Sequence, residues 1–384
     1  MLELAGSEVP VVWRGRRVRA FVPLLLCERG FDLDPKTVGA TATAAADVAY
    51  AAEALDPDYE PLARLLLRAE GVASSYIEGV RAPVADVVMA EQRAVAADPA
   101  AAWVAANLAA LTAALTDALA DADDAALSAE RLCRWHSMLM TGSPLGRYVG
   151  VVRDEQGWIG GTDPTDAALV TPPPDTLPAL VDDLVAYANR TDVDPITQAA
   201  IAHAQFEVVH PFTGGNGRIG RLLVAWLLTR RLSLVVPPPV SVAMAADVGA
   251  YFSQLALYRF GDHDHWIRWF AHAVRSGGRA QRSLIANVHG LAETWRSRLA
   301  TRHRRTDAAA WKVLDLLPRH LVLSTELIET TLGITNKAAN AALRELVAAG
   351  VLVVHGAAAR TTGRPPRLYV CPELLALAGS NPMR

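Results

Sequence analysis

The sequence predicts a mainly α protein in two domains, and three observations carry that expectation. Apolar residues at three- and four-residue spacing dominate from about residue 38 to about residue 300. One segment, 142–174, breaks that pattern with glycines, prolines and short β-branched runs, the composition of a hairpin flanked by loops. From about residue 306, three short helical stretches precede two strand-like runs joined by a basic glycine-proline turn.

A chain of 384 residues with 52% hydrophobic and 20% charged residues is long enough for two or three domains around a sizeable core. Its formal charge of −3 argues against nonspecific nucleic-acid binding by the whole surface. Cys27, Cys133 and Cys371 are far apart, odd in number and outside metal-ligand spacing, so free thiols in a reducing compartment are expected. The first ten residues lack a basic region followed by an apolar core, and no later run reaches about 18 uninterrupted apolar residues. The expectation is a cytoplasmic protein without a membrane span.

The N-terminal 35 residues carry turn signals and the cluster RGRRVR at 14–19, which reads as a solvated surface strand or a nucleic-acid arm. TVGATATAAADVAYAAEAL is an alanine-rich helix, and Pro61 suits the first turn of the next one. In that helix Leu62, Leu65, Leu66 and Ala69 share one core-facing side. It ends in SSYIEG, which by itself reads as a helix stopped at a Gly cap. Further helices follow through LCRWHSMLM, where His136 reads as a core histidine. PPPDTLPALVDDLVAYANR returns the chain to helix after the hairpin.

HPFTGGNGRIGR, residues 210–221, joins ITQAAIAHAQFEVV to RIGRLLVAWLLTRR, a helix apolar around most of its circumference and therefore buried. Gly214, Gly215 and Gly217 allow backbone N–H groups to converge at a helix N-terminus, where unpaired amides and the helix dipole favour an anion. Arg218 and Arg221 follow three residues apart, on one side of the first turn. His210 is the group at this loop that can accept a proton near neutral pH. Together they describe a polyphosphate pocket beside a base.

The string resembles the Fic signature H-P-F-x-(D/E)-G-N-G-R-x-x-R, and the resemblance extends over about residues 40–275. It implies transfer of AMP from ATP to a hydroxyl of a target protein, or of the protein itself, with His210 as general base and Phe212 as the loop anchor. ATP would be held by Thr213, Gly214, Gly215, Asn216, Gly217, Arg218 and Arg221, with Tyr251 in YFSQL near the adenine. Gly214 stands where the family has an acidic Mg²⁺ ligand, so Mg²⁺ or Mn²⁺ would be held mainly by phosphates and water, and no residue is assigned to metal. SSYIEG resembles the family's inhibitory motif (S/T)-x-x-x-E-(G/N) through Ser74, Glu78 and Gly79, which implies that Glu78 pairs with Arg221 and keeps the enzyme inactive. RDEQGWIGG resembles the family flap, implying that Trp158, Ile159, Gly160 and Gly161 dock the target segment by strand addition. Two other readings follow from Gly214: a nucleotide-binding regulator without catalysis, or a different phosphate-linked transfer such as AMP removal.

GDHDHW at 261–266 alternates its ligand-type residues, which puts them on different faces and reads as a polar helix start. A long helix to about residue 300 then links to the C-terminal part. There Ser324 caps a second short helix and Gly333 makes the turn before a third. This part resembles a winged helix-turn-helix, with 335–349 as recognition helix and 356–367 as wing. Residues 301–370 carry ten Lys and Arg against five Asp and Glu. The resemblance implies either DNA contact through Asn336, Lys337, Arg364 and Arg367, or a protein-interaction role, and homodimers are frequent in the Fic family. The full expectation is a mainly α chain, a Fic-type helical domain with a β-hairpin flap plus a small winged helix-turn-helix domain. Its divisions are an N-terminal helical region with the inhibitory motif (1–100), a Fic core (101–275), a linker helix (276–305) and the winged-helix domain (306–384).

Overall fold

The computed structural model describes residues 5–55, 59–92, 98–120, 126–301, 309–357 and 367–379. The chain opens with a hairpin, β1 (Gly6–Trp13) against β2 (Arg16–Pro23), so the RGRRVR cluster is a surface hairpin. Helices α1 (Pro35–Ala52), α2 (Tyr59–Ile77), α3 (Val84–Gln92), α4 (Pro99–Ala118) and α5 (Ala129–Leu139) follow. The flap is a short antiparallel pair, β3 (Trp158–Ile159) and β4 (Leu169–Val170). Helix α6 (Leu177–Ala188) leads to α7 (Pro195–Val209) and α8 (Asn216–Arg231), then α9 (Val240–Ala246), α10 (Val248–Arg259) and the 38-residue α11 (His263–Ala300).

Caps fix where these helices begin. Asp34, Asp98 and Asp194 each accept a backbone N–H, and each is followed by a proline in the first turn of its helix. Asp262 caps α11 in the same way, the role expected of GDHDHW. Helices α7 and α8 are buried over nearly their whole length and form the centre around which α1, α4, α6 and α11 pack.

Among the described residues, α4 is long and apolar enough to cross a membrane, which corrects the expectation that nothing approaches a span. Its interruptions by Asn and Thr do not lower its mean hydropathy enough. The helix packs on α3, α5 and α8, and Asn107 within it donates to the Gly71 carbonyl at 2.9 Å.

The C-terminal part contains α12 (Ala309–Asp315), β5 (Val322–Ser324), α13 (Thr325–Leu332), α14 (Asn336–Ala348), β6 (Val353–Ala357), β7 (Arg367–Val370) and α15 (Pro372–Ala378). Its strands form an antiparallel sheet in the order β5-β7-β6. The Ser324 hydroxyl caps α13, and Gly333 at φ 62° ends it.

Burial divides the molecule differently from the boundaries expected at 100, 275 and 305. Ala73 and Ile77 of α2 belong to the core around α7 and α8. Leu62, Leu65 and Leu66 of the same helix, with Val88 of α3, belong to the core of the C-terminal part. The expected linker is the second half of α11, and its Leu284, Val288 and Trp295 are buried in that second core. Two helices, α2 and α11, therefore join both cores.

Candidate active site

The site is built where α7 stops. His210 adopts a left-handed conformation, φ 51°, which turns the chain out of the helix. Such a backbone persists for a non-glycine residue only when its surroundings hold it. Arg153 does so. Its Nε donates to the His210 carbonyl at 2.8 Å, and its other nitrogens donate to the carbonyls of Glu155 and Pro172 and to the Thr171 hydroxyl. The flap and the loop are thus joined by one buried guanidinium.

Below the loop, Phe212 is buried and stacks on His136 with ring centres 4.0 Å apart. His136 Nδ1 accepts the Gly150 N–H at 2.9 Å, so its proton is on Nε2, which donates to the Gly214 carbonyl at 2.9 Å. Burial pushes the His136 pKa down, in keeping with this neutral tautomer. Asn216 closes the turn by accepting the Phe212 N–H at 2.9 Å and donating to the Phe212 carbonyl at 2.7 Å. Thr213 is the exposed apex, and Gly215 at φ 77° leads into α8.

At the N-terminus of α8 the space beside Gly217 is already taken by a carboxylate. A Cβ there would meet Glu78 Oε1 at 2.2 Å and Arg221 Nη1 at 3.1 Å. Glu78 Oε1 accepts from Arg221 Nη2 at 2.8 Å. Ser74 holds the same guanidinium, its hydroxyl accepting from Nε and its carbonyl from Nη2, both at 2.9 Å. Helix α2 ends at Ile77, and Gly79 at φ 77° turns the chain away after Glu78. Arg221 is 2% exposed and its Nη1 has no hydrogen-bond partner among the described residues; neither has Arg218 Nε. These buried, unmet donors suit an anion with several charged oxygens.

The electrostatics follow. Burial alone would raise the Glu78 carboxyl, but Arg221, with Arg218 and His210, outweighs it and holds the group below its usual range. Burial pushes His210 down to about 4, with Arg153 adding to the effect, so its ring is neutral near pH 7. His210 Nδ1 lies 3.2 Å from the Glu207 carbonyl. Donating there leaves Nε2 as the proton acceptor.

Tyr251 does not face the pocket. It is fully buried, and its hydroxyl bonds His203 Nε2 at 2.8 Å in a layer with Glu207. It is a support beneath Arg221 and not an adenine contact, because its ring packs among Phe252, Trp269 and His203. In the flap, Trp158 remains 36% exposed and meets Trp13 of the N-terminal hairpin edge-on at 6.3 Å. Ile159 pairs with Leu169, and Gly160 and Gly161 both take φ 70° after the strand. His136 is the buried histidine that the sequence suggested, but its bond to the loop, like that of Arg153, could not be read there, because both side chains reach the loop through backbone carbonyls, which leave no pattern in sequence.

The residues present do not fit a protein-held metal ion. Gly214 offers no carboxylate, and the space beside it is bordered by Leu145 Cδ1, 3.2 Å from a Cβ placed there. Among the described residues no group of three or more His, Cys, Asp or Glu is placed to hold one.

In the C-terminal part, Asn336 and Lys337 are exposed at the start of α14, where Asn340 bonds Asn336. Arg367 is exposed at the start of β7. Arg364 and most of the expected wing lie outside the described residues.

The central loop of this helical domain presents a histidine and converging backbone amides at a helix N-terminus, and comparison with known proteins finds relatives of that segment. Residues 126–228 match the Fic/DOC family, and the chain carries a Fic domain. Protein adenylyltransferase fic-1 of Caenorhabditis elegans is 34% identical over 122 residues, 32% of this chain and 22% of that protein. A probable protein adenylyltransferase of Aquifex aeolicus is 41% identical over 58 residues, 15% and 18% of the two chains. The match thus spans about a fifth of the length of these curated relatives. Among solved structures, a Fic family protein from Desulfovibrio desulfuricans superposes with a TM-score of 0.54 at 23% identity, covering 89% of this chain and 97% of that one. Fic-1 of C. elegans gives 0.52 at 20% identity, covering 66% and 75%. These likenesses establish the fold.

Proposed function

We propose that the protein is an adenylyltransferase that binds ATP at the N-terminus of α8 and transfers AMP to a Ser, Thr or Tyr hydroxyl of a target protein or of itself. The observation that carries this reading is the Glu78 carboxylate lying against Gly217 and bonded to Arg221, an anion seated where a terminal phosphate would sit. His210 Nε2 takes the proton of the target hydroxyl as its oxygen attacks the α-phosphorus; pyrophosphate leaves. Gly217 and the first amides of α8, with Arg218 and Arg221, receive the phosphates. The flap edge at Trp158–Ile159 orders the target strand. Glu78 holds the enzyme inactive by occupying Arg221. The reading is supported by the names of the relatives and by the neutral, oriented His210.

The test is label transfer from ATP marked on the α-phosphate, comparing Glu78→Gly with Glu78→Gly plus His210→Ala, with and without Mg²⁺ or Mn²⁺. Label that requires His210 is the expected outcome, and its absence from both variants with ATP binding intact would refute the enzyme reading.

Gly214 favours a second reading, a nucleotide sensor. The missing carboxylate removes the family's metal ligand, while α2 connects Glu78 to the C-terminal core. Glycine is not required at 214 by its backbone, whose φ is not positive. If Gly214→Asp creates transfer that the Glu78→Gly protein lacks, the natural domain is a sensor.

We infer that the C-terminal part is a winged helix, from its three short helices and β5-β7-β6 sheet, with α14 and Arg367 available for DNA. Loss of a mobility shift on Lys337→Ala plus Arg367→Ala would support this, and unchanged binding would exclude these contacts. A cytoplasmic homodimer is proposed alongside, its three cysteines being free thiols; a monomer in sedimentation would remove the dimer.

A further inference from the structure

A cleft of 560 Å³ lies where α2, the α2–α3 connection, α9 and α11 meet β6 and α15. Its walls are apolar, among them Leu66, Val72, Val242, Leu284 and Leu375. Three of its lining residues, Tyr76, Val80 and Arg81, bracket Glu78 in sequence. Tyr76 and Val80 are bonded to the helix end: the Glu78 and Val80 N–H groups both donate to the Ser75 carbonyl, and that of Gly79 to Tyr76. A change at the cleft is therefore a change at the segment that carries Glu78.

The polar side chains of the lining are few. Arg81 is exposed, lies over the Tyr76 ring at 4.6 Å, and has no carboxylate partner among the described residues. His355 of β6 also lines the cleft and lies 3.8 Å from Asp86. Cavities of this size with apolar walls and a single unpaired cation suit a small amphiphile with one negative end.

We propose that this cleft is an effector site for an apolar carboxylic acid, its chain against α2, α11 and α15 and its carboxylate on Arg81, and that occupancy shifts the hold of Glu78 on Arg221. The geometry gives the coupling a route. The first half of α2 is packed into the C-terminal core, its Glu60 pairs with Arg319 at 3.3 Å, and its last turn reaches the active site. A ligand between the two cores contacts α2 and α11, which both belong to the two cores, and of these it is α2 that leads directly into Glu78.

The probe is decanoate, with uncharged decanamide as control, titrated calorimetrically into the full chain. One decanoate per chain is expected. Arg81→Gln should weaken decanoate about tenfold, the loss of one charged hydrogen bond, and leave decanamide unchanged. Ala376→Trp, at the exposed rim on α15, should abolish both without disturbing the fold. Decanoate binding that survives Ala376→Trp, or no saturable binding below about 1 mM, overturns the site. The coupling rests on the nucleotide reading: ATP affinity should change at least about threefold with decanoate bound. An unchanged ATP affinity overturns the effector role but leaves the site. Failure of Glu78→Gly to bind ATP refutes the nucleotide reading, while the decanoate titration still decides the cleft.

Discussion

Replacing Glu78 with glycine should weaken the fold and strengthen nucleotide binding at once. Arg221 is 2% exposed and, among the described residues, keeps its two bonds to Ser74 when the carboxylate goes. Stranding one member of a buried pair costs about 3–5 kcal/mol. The Ser74 contacts and the 32% exposure of the Glu78 side chain put this case near or below the lower end, roughly 2–3 kcal/mol. The same change removes the carboxylate that a phosphate would have to displace. Losing that competitor, a charge-assisted bond worth about 1.5–3 kcal/mol, should tighten ATP about 10- to 150-fold. Denaturant unfolding and calorimetric titration of ATP into the His210→Ala and His210→Ala plus Glu78→Gly proteins measure the two effects without turnover. A variant that is less stable but binds ATP no more tightly would sink the argument, because Arg221 would then be a structural cation and not a phosphate ligand.

Gly217→Ala is predicted to do the opposite to binding: its methyl would occupy the Glu78 seat, 2.2 Å from Oε1, and so block carboxylate and phosphate alike. ATP titration should show weaker binding than wild type, and a gain would refute the assignment of this turn as the cradle. His136→Ala should lower stability by about 2–4 kcal/mol, by freeing the Gly214 carbonyl and opening a cavity under Phe212; a loss under about 0.5 kcal/mol would show that Asn216 alone holds the loop. Stability should peak near pH 6.5. His203, His210 and His263 have folded pKa values lowered to about 3, 4 and 4, so the unfolded state takes up their protons first and stability falls below their ordinary value. Glu70 and Glu207 are raised by burial to about 7 and 8, so they stay protonated when folded and stability falls as pH rises toward those values. Below about pH 6.5 these three histidines, joined by His136 and His320, whose pKa values are also lowered by burial, outnumber the two glutamates, so stability rises with pH there. Stability that rises steadily from pH 6.5 to 8 in denaturant titrations would contradict the burial of Glu70 and Glu207.

The fold class and the central loop were legible because both depend on local chemistry. Apolar spacing marks α7 and α8, and the glycines and arginines of 214–221 announce an anion-binding helix start whatever surrounds them. Caps such as Ser324 and Asp262 bond within three residues, so their helix starts could be read directly. Tyr251 was misread because an aromatic in a helix has the same sequence signature in a pocket wall as in a core. The domain divisions at 100 and 305 were misread for a related reason: a helix that serves two cores shows one continuous apolar face.

By itself, then, the sequence determined that a base, a glycine turn and two arginines stand together, since a few residues of contiguous chain bring them there. Only the tertiary structure decided what that loop meets. His136 reaches Gly214 across 78 positions and Arg153 pins His210 across 57, while the pairing of Glu78 with Arg221 across 143 was expected through the family resemblance alone and not from any local chemistry. Such pairings depend on how helices pack, and packing is set by the summed burial of many side chains, so no local pattern encodes it.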